Sequence, residues 1–136
     1  MPYPLPAQAT QEANDYAKGQ NPLAFSSGNV AAGTAVASIP AVAGLTSYVT
    51  GFAITGAGAT GASVVTATLG PLAGGTLSFS VPVPAGAAVG ITPLIVNFAK
   101  PIPANAVNTA ISATLPSLGA GNTNACVSIW GFTAPN

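Results

Sequence analysis

The sequence predicts an all-β fold: an antiparallel β-sandwich of the jelly-roll kind with an extended N-terminal arm. Two observations indicate it. Short runs with β-type alternation recur along the chain, and segments rich in Gly, Pro and Asn separate them with no helical period in between. With 136 residues, the chain is long enough for one domain with a core between two sheets.

The first 28 residues are predicted to be the arm, and residues 29–136 the sandwich. Proline at positions 2, 4 and 6 enforces an extended or polyproline-like backbone, and the polar stretch that follows has too little apolar content to fold alone. A disordered tail is the alternative to an arm that docks on a partner. We expect seven side chains to form the partner interface: Tyr3, Pro4, Leu5, Tyr16, Lys18, Leu23 and Phe25.

Seven runs after the arm are predicted to be strands, at about residues 34–39, 45–55, 62–69, 76–83, 91–98, 107–115 and 124–133. The fourth has the clearest pattern, because Leu77, Phe79 and Val81 alternate with small polar residues. The sixth alternates in the same way from Val107 to Leu115. This period of two is typical of half-buried antiparallel strands. Residues 70–75, 84–86 and 101–105 have turn chemistry.

Charge is almost absent from the chain. Charged residues make up 3% of it, against about 25% in an ordinary domain, and there is no His or Arg. The four charged residues are Glu12, Asp15, Lys18 and Lys100. A surface of Ser, Thr, Ala and Asn can be covered by a neighbour without burying charge, and a net charge near zero favours association. We therefore expect a subunit of an assembly that contacts other protein chains.

The same composition argues against several other functions. Two lysines make no basic surface for nucleic acid, and prolines and glycines interrupt the most apolar stretch, residues 81–98, so that it cannot be a membrane helix. General acid–base catalysis lacks a histidine, and Cys126 with two acidic residues is too few for a metal site. We predict a protein that is not an enzyme, with no catalytic residues, cofactor, metal or small-molecule substrate.

Three local features have two interpretations each. Residues 56–61 match G-x-G-x-x-G, but neither a helix nor a later acidic residue follows, which favours a hairpin loop over a dinucleotide site. Trp130 and Phe132 share one face of the last run; we expect them in the core, with a carbohydrate platform as the alternative. Lys100 is expected to be solvated, the alternative being an ion pair with Glu12 or Asp15 of a neighbouring copy.

Several stretches resemble small structural proteins of tailed-bacteriophage virions. They are residues 45–52 (LTSYVTGF), the repeated Gly/Ala/Thr hairpin signals, residues 101–104 (PIPA), residues 118–125 (LGAGNTNA) and the pair Gly131-Phe132. The likeness covers about residues 34–133 and lies in the composition and the spacing of the predicted strands, not in a specific functional motif. Such proteins include jelly-roll cement or decoration proteins, which sit on the capsid exterior, bridge neighbouring capsid subunits and have no catalytic residues.

The resemblance implies a capsid cement protein on the exterior of the virion. Its partners would be the major capsid protein and copies of itself, as a dimer or trimer, and the arm would reach across one of them. Two alternatives stay open. One is a phage tail, baseplate or head-fibre component. The other, from a different class, is a carbohydrate-binding surface module in which Trp130, Tyr48 and loop asparagines contact the sugar.

Overall fold

The computed structural model describes residues 22–121 and 124–135. All of the regular secondary structure in these residues is β-strand. The strands form two antiparallel sheets of four, so the predicted all-β sandwich is confirmed. The strands are β1 (Leu23–Ser26), β2 (Ala35–Ile39), β3 (Leu45–Ala57), β4 (Ser63–Leu72), β5 (Gly75–Val83), β6 (Leu94–Pro103), β7 (Ile111–Leu115) and β8 (Asn124–Pro135). Within the described ranges, no helix has the length and apolar character needed to cross a membrane.

The two sheets share one pattern of strand order. The front sheet has the order β1-β8-β3-β6 and the back sheet the order β2-β7-β4-β5. Each strand of the first half of the chain therefore pairs with one of the second half: β1 with β8, β2 with β7, β3 with β6 and β4 with β5. Successive pairs alternate between the sheets, which places β1 and β2 at one side of the sandwich and β5 and β6 at the other.

Strand β1 lies in the segment predicted to be the arm. It pairs with β8 from Leu23 opposite Gly131 to Ser26 opposite Ser128, and Phe25 packs against the core. The sandwich therefore begins at Leu23, earlier than the predicted boundary at residue 28. Four residues are too few to show an alternation in the sequence. This strand forms because it can pair with the much longer β8.

The largest other differences from the prediction are at the end of β6 and the start of β7; β4 also continues to Leu72, through part of the turn predicted at residues 70–75. β6 continues through Pro101 and Pro103, which were expected in a turn; an edge strand tolerates proline because its outward N–H groups have no partner in the sheet. The strand predicted from residue 107 begins only at Ile111. Before it, Asn108 has a φ of 56°, a left-handed conformation that asparagine accepts readily, and its N–H donates to the Leu45 carbonyl at 2.9 Å.

The core between the sheets is built mainly of Val, Ile, Leu and Ala. Phe52 is the largest fully buried side chain. Its ring lies 5.2 Å from that of Phe79 on β5 and 6.5 Å from that of Phe98 on β6, measured between centroids. Along β8, the fully buried Val127 and Ile129 define the face that points inward. Aliphatic side chains and these three phenylalanines thus fill the sandwich.

Candidate functional site

The outer face of the front sheet carries three aromatic side chains that we call the aromatic face: Tyr48 on β3, and Trp130 and Phe132 on β8. Alternation along β8 turns Trp130 and Phe132 away from the buried positions Val127 and Ile129, and both are half-buried. The expectation that they fill the core is therefore wrong. The inward face of β8 carries aliphatic side chains, and the two aromatic side chains lie on the outward face.

Tyr48 and Phe132 form a stacked pair. They are direct partners across β3 and β8, with ring centroids 4.9 Å apart and planes inclined by 16°. An aromatic pair of this kind stabilises by about 0.5–1.5 kcal/mol beyond the area that it buries. The stack covers one face of each ring and holds both rings in a fixed position above the sheet.

Trp130 is fixed by a glycine on the neighbouring strand. Its partner across the sheet is Gly51, and a Cβ added at Gly51 would lie 2.6 Å from the indole Nε1. The indole therefore occupies the space that the missing side chain leaves free. At the same place Thr50 donates a hydrogen bond from its hydroxyl to the Trp130 carbonyl, at 3.1 Å. These contacts hold the indole in one position, so that little side-chain entropy would be lost if a partner bound to the aromatic face.

The rest of this outer face is small, apolar or uncharged. Ile95 on β6 is 61% exposed and lies opposite Ala53, which in turn lies opposite Ser128. Asn97 lies opposite Gly51, and so belongs to the same row as Trp130. The aromatic face thus combines rigid aromatic anchors with an exposed aliphatic side chain and contains no charge. The centre of a protein interface typically has this composition.

The outer face of the back sheet has a different character, and we call it the hydroxyl face. Its rows are set by the strand register, with Thr68 lying between Thr114 on β7 and Ser78 on β5. The hydroxyl oxygens of Ser38 and Ser112 lie 2.7 Å apart and share a hydrogen bond. This face also lacks charge, but it has no aromatic side chain. Its large exposed apolar residues are Val36 and Val64.

Prolines mark two of the four sheet edges. β6 contains Pro101 and Pro103, and β5 contains Pro82. Each proline removes a backbone donor from an edge that could otherwise pair with another strand. Lys100 on β6 is exposed and is the one charged side chain among the described residues. Edge protection in this chain therefore relies on proline more than on charge.

The predicted interface residues fall into two groups. Tyr3, Pro4, Leu5, Tyr16 and Lys18 lie outside the described residues. Leu23 and Phe25 lie on β1, where Leu23 is 38% exposed and Phe25 packs on the chain's own core. Of the two, only Leu23 has a substantially exposed side chain.

Hydrogen bonds to two other loops hold the G-x-G-x-x-G segment in place. Ala59 is buried and its carbonyl accepts a hydrogen bond from the Gly86 N–H at 2.8 Å, while Thr60 donates to the Ala120 carbonyl from both its N–H and its hydroxyl. Strand β4 follows this segment, where a dinucleotide site would need a helix. The loop joins the two sheets, so it is not the hairpin that we expected. No cluster of three or more metal-binding side chains occurs within the described ranges.

Comparison of the chain with protein-family models, with curated proteins and with solved structures finds no match. The surfaces of the sandwich are therefore the basis for assigning a function. The aromatic face is the strongest candidate, because it combines rigid anchors, exposed apolar area and absence of charge.

Proposed function

We propose that the chain is a virion structural protein of the capsid cement class, which binds the outside of a phage capsid and bridges major capsid protein subunits. The observation that carries the proposal is the uncharged surface: of all the described side chains, only Lys100 is charged. A soluble monomer gains nothing from such a surface, because net charge is what keeps proteins apart in solution. A subunit that neighbouring proteins cover on several sides benefits from such a surface, because no charge is buried at any of these contacts.

The strand order supports the jelly-roll part of this proposal. Eight strands lie in two sheets, and the pairs β1–β8, β2–β7, β3–β6 and β4–β5 alternate between the sheets. This is the arrangement produced when one long antiparallel hairpin is rolled into a sandwich. Jelly rolls of this kind are common in viral capsid proteins. The fold is thus compatible with the resemblance to virion proteins.

The aromatic face offers a mechanism for cementing. A standard interface buries about 800 Å² on each partner, and its energy comes mainly from a few central aromatic or aliphatic anchors. Trp130, the Tyr48–Phe132 stack and Ile95 would be those anchors. Contact with a capsid protein through them would bury apolar area without the desolvation penalty of a charge. Repeated over many copies, this added area would raise the free energy needed to rupture the shell.

The proposed partners are the major capsid protein and copies of the chain itself, as a dimer or trimer. The uncharged hydroxyl face is available for the second kind of contact, because its outward Ser and Thr side chains can exchange hydrogen bonds with water for hydrogen bonds with a neighbour. A role in a tail, baseplate or head fibre needs the same kind of surface. The location on the capsid exterior is proposed from the resemblance.

A carbohydrate-binding surface module is the second candidate, and one observation favours it. Trp130 and Tyr48 lie on an outer face instead of in the core, as a sugar-binding platform requires. The geometry is less favourable, because Phe132 covers one face of the Tyr48 ring and Gly51 backs the Trp130 indole. Sugar rings stack on open aromatic faces, and here each ring has lost part of its surface to its neighbour.

A binding experiment separates the two candidates. The purified chain is mixed with pre-formed phage capsids that lack it, bound protein is measured by sedimentation, and the free protein is tested in parallel on a glycan array. The cement function predicts saturable binding at a fixed ratio to the major capsid protein and no glycan selectivity. Selective glycan binding without capsid binding would replace the proposal with the second candidate.

A further inference from the structure

The sandwich is open along the side formed by β5 and β6. These are the edge strands of the two sheets and they do not pair with each other. At the opposite side, core-facing Ala35 and Ile39 of the edge strand β2 are fully buried. Along β6 and the first half of β5 the core-facing side chains are only partly covered, whereas Val81 and Val83 farther along β5 are buried. We call this opening the β5–β6 cleft, lined by Leu77, Phe79, Val96, Phe98 and Ile102.

The cleft has a floor and two ends. Its floor is Phe52, flanked by Phe79 and Phe98. One end is closed where the Ala73 N–H donates to the Pro103 carbonyl at 2.9 Å. At the other end there is a pocket of about 190 Å³, lined by Ser80, Val81, Pro82, Thr92, Pro93 and Leu94. From Leu77 to Val81 the cleft runs for about 13 Å, the length of four residue steps along a strand.

The cleft suits an occupant that binds through side chains. Strand addition to either edge is hindered, because Pro101 and Pro103 on β6 and Pro82 on β5 have no N–H to donate. The lining is apolar, with Leu77 39% exposed and Phe79 and Phe98 half-buried. Burying this area would be favourable, because it removes apolar surface from water.

Charge complementarity indicates which occupant this is. Lys100, the sole charged side chain of the described ranges, is exposed on β6 between the cleft residues Phe98 and Ile102. The only acidic side chains of the whole chain, Glu12 and Asp15, both lie in residues 1–21. That segment also contains apolar and aromatic side chains, notably Tyr3, Leu5 and Tyr16, that could cover the cleft.

The chain is long enough to make the connection. The strand register places Leu23, Gly131, Val49 and Ile102 in one row across the front sheet. Three strand spacings therefore separate the start of β1 from the Lys100 end of the cleft, a distance of about 14 Å. The seven residue steps from Asp15 to Pro22 can span up to about 23 Å when extended.

We propose that, in the free protein, residues 1–21 of the same chain occupy the β5–β6 cleft and pair a carboxylate of Glu12 or Asp15 with Lys100. A tethered segment has an effective concentration of order millimolar at its own cleft, so in dilute solution it outcompetes the segment of a second copy. This inference goes beyond the proposed function and does not depend on it. If the segment also contacts a capsid partner, it must first leave the cleft.

Zero-length cross-linking with a carbodiimide tests the proposal on the full chain. The reagent joins a lysine amine to a carboxylate in direct contact, and the chain has only two lysines and two acidic side chains. We expect a Lys100–Asp15 or Lys100–Glu12 product on the monomer, identified by peptide mass spectrometry. In an equal mixture of ¹⁴N- and ¹⁵N-labelled protein that has been unfolded and refolded together, each product should be isotopically pure. Products between Lys18 and the same acids report that the reagent has worked.

A matched pair of variants tests the cleft itself. Leu77→Gln removes an apolar contact at its rim, whereas Val36→Gln changes a residue of similar exposure on the hydroxyl face. We expect L77Q to lower the yield of the Lys100 product about fivefold, and V36Q to leave it unchanged. Absence of the product beside normal Lys18 products would overturn the proposal. Isotopically mixed products would overturn it too, by assigning the cleft to a second copy.

Discussion

The indole of Trp130 rests on the backbone of Gly51, its direct partner on the neighbouring strand. A large side chain on an exposed sheet face normally has freedom to change rotamer. Here the glycine provides a recess, and the Thr50 hydroxyl holds the Trp130 backbone at the same point. The aromatic face is consequently preorganised, which lowers the entropy cost of binding a partner.

Gly51→Ala should displace the indole, because the new Cβ would lie 2.6 Å from its Nε1. We expect a loss of about 1–3 kcal/mol in the free energy of unfolding and a shift of fluorescence to longer wavelength as the indole enters water. The chain has a single tryptophan, so the signal is unambiguous. Gly61→Ala is the control, since nothing lies within 4 Å of a Cβ there. Unchanged emission in G51A would show that Trp130 does not depend on this recess.

Phe52→Ala should be among the most destabilising substitutions in the core. The ring is fully buried and contacts both Phe79 and Phe98, so its loss leaves a cavity between the sheets. We expect the free energy of unfolding, measured in urea, to fall by about 3–5 kcal/mol. Val64→Ala, at a position that is 66% exposed, should change it by less than about 0.5 kcal/mol. A loss below about 1 kcal/mol for F52A would contradict the described packing.

Under the proposed function, a single charge should identify the face that contacts the capsid. Ile95→Glu places a carboxylate on the aromatic face and Val64→Glu places one on the hydroxyl face, both at strongly exposed positions. An unpaired charge buried at an interface costs several kcal/mol, so we expect I95E to weaken capsid binding about 100-fold or more and V64E to have little effect. Equal binding of I95E and the unchanged protein would exclude the aromatic face as the contact.

Association through uncharged faces should be insensitive to salt and to pH near neutrality. Screening acts on charges, and the chain has no histidine, the side chain whose ordinary pKa lies closest to neutral. We expect the dissociation constant for capsids to change by less than about twofold between 50 and 500 mM salt, and between about pH 5.5 and 7. Steep weakening in salt would indicate that the few charges of the chain carry the contact.

The strand pattern predicted much of the fold because alternation is a local property. β5 shows it in Leu77, Phe79 and Val81, and the structure places the same three side chains on the core-facing side. The prolines of β6 predict a turn from the sequence alone, because a sequence does not show which strands lie at an edge. The edge position, which makes proline tolerable, emerges only from the strand order.

The aromatic face was not predicted because β8 has two faces that are both largely apolar. One carries Val127 and Ile129, the other Trp130 and Phe132, and side-chain size alone favoured the second as the core. What decides the orientation is non-local. Trp130 fits against Gly51 and Phe132 stacks on Tyr48, and both partners lie about 80 residues earlier in the chain.

The copy number of this chain in purified virus particles from its source, relative to the major capsid protein, tests the central claim most directly. Quantitative mass spectrometry of intact particles gives that ratio. The cement function predicts a ratio near one or a simple fraction of it, because each copy occupies a repeated position on the shell. A handful of copies per particle would assign the chain to the tail or baseplate, and its absence from particles would contradict a virion role altogether.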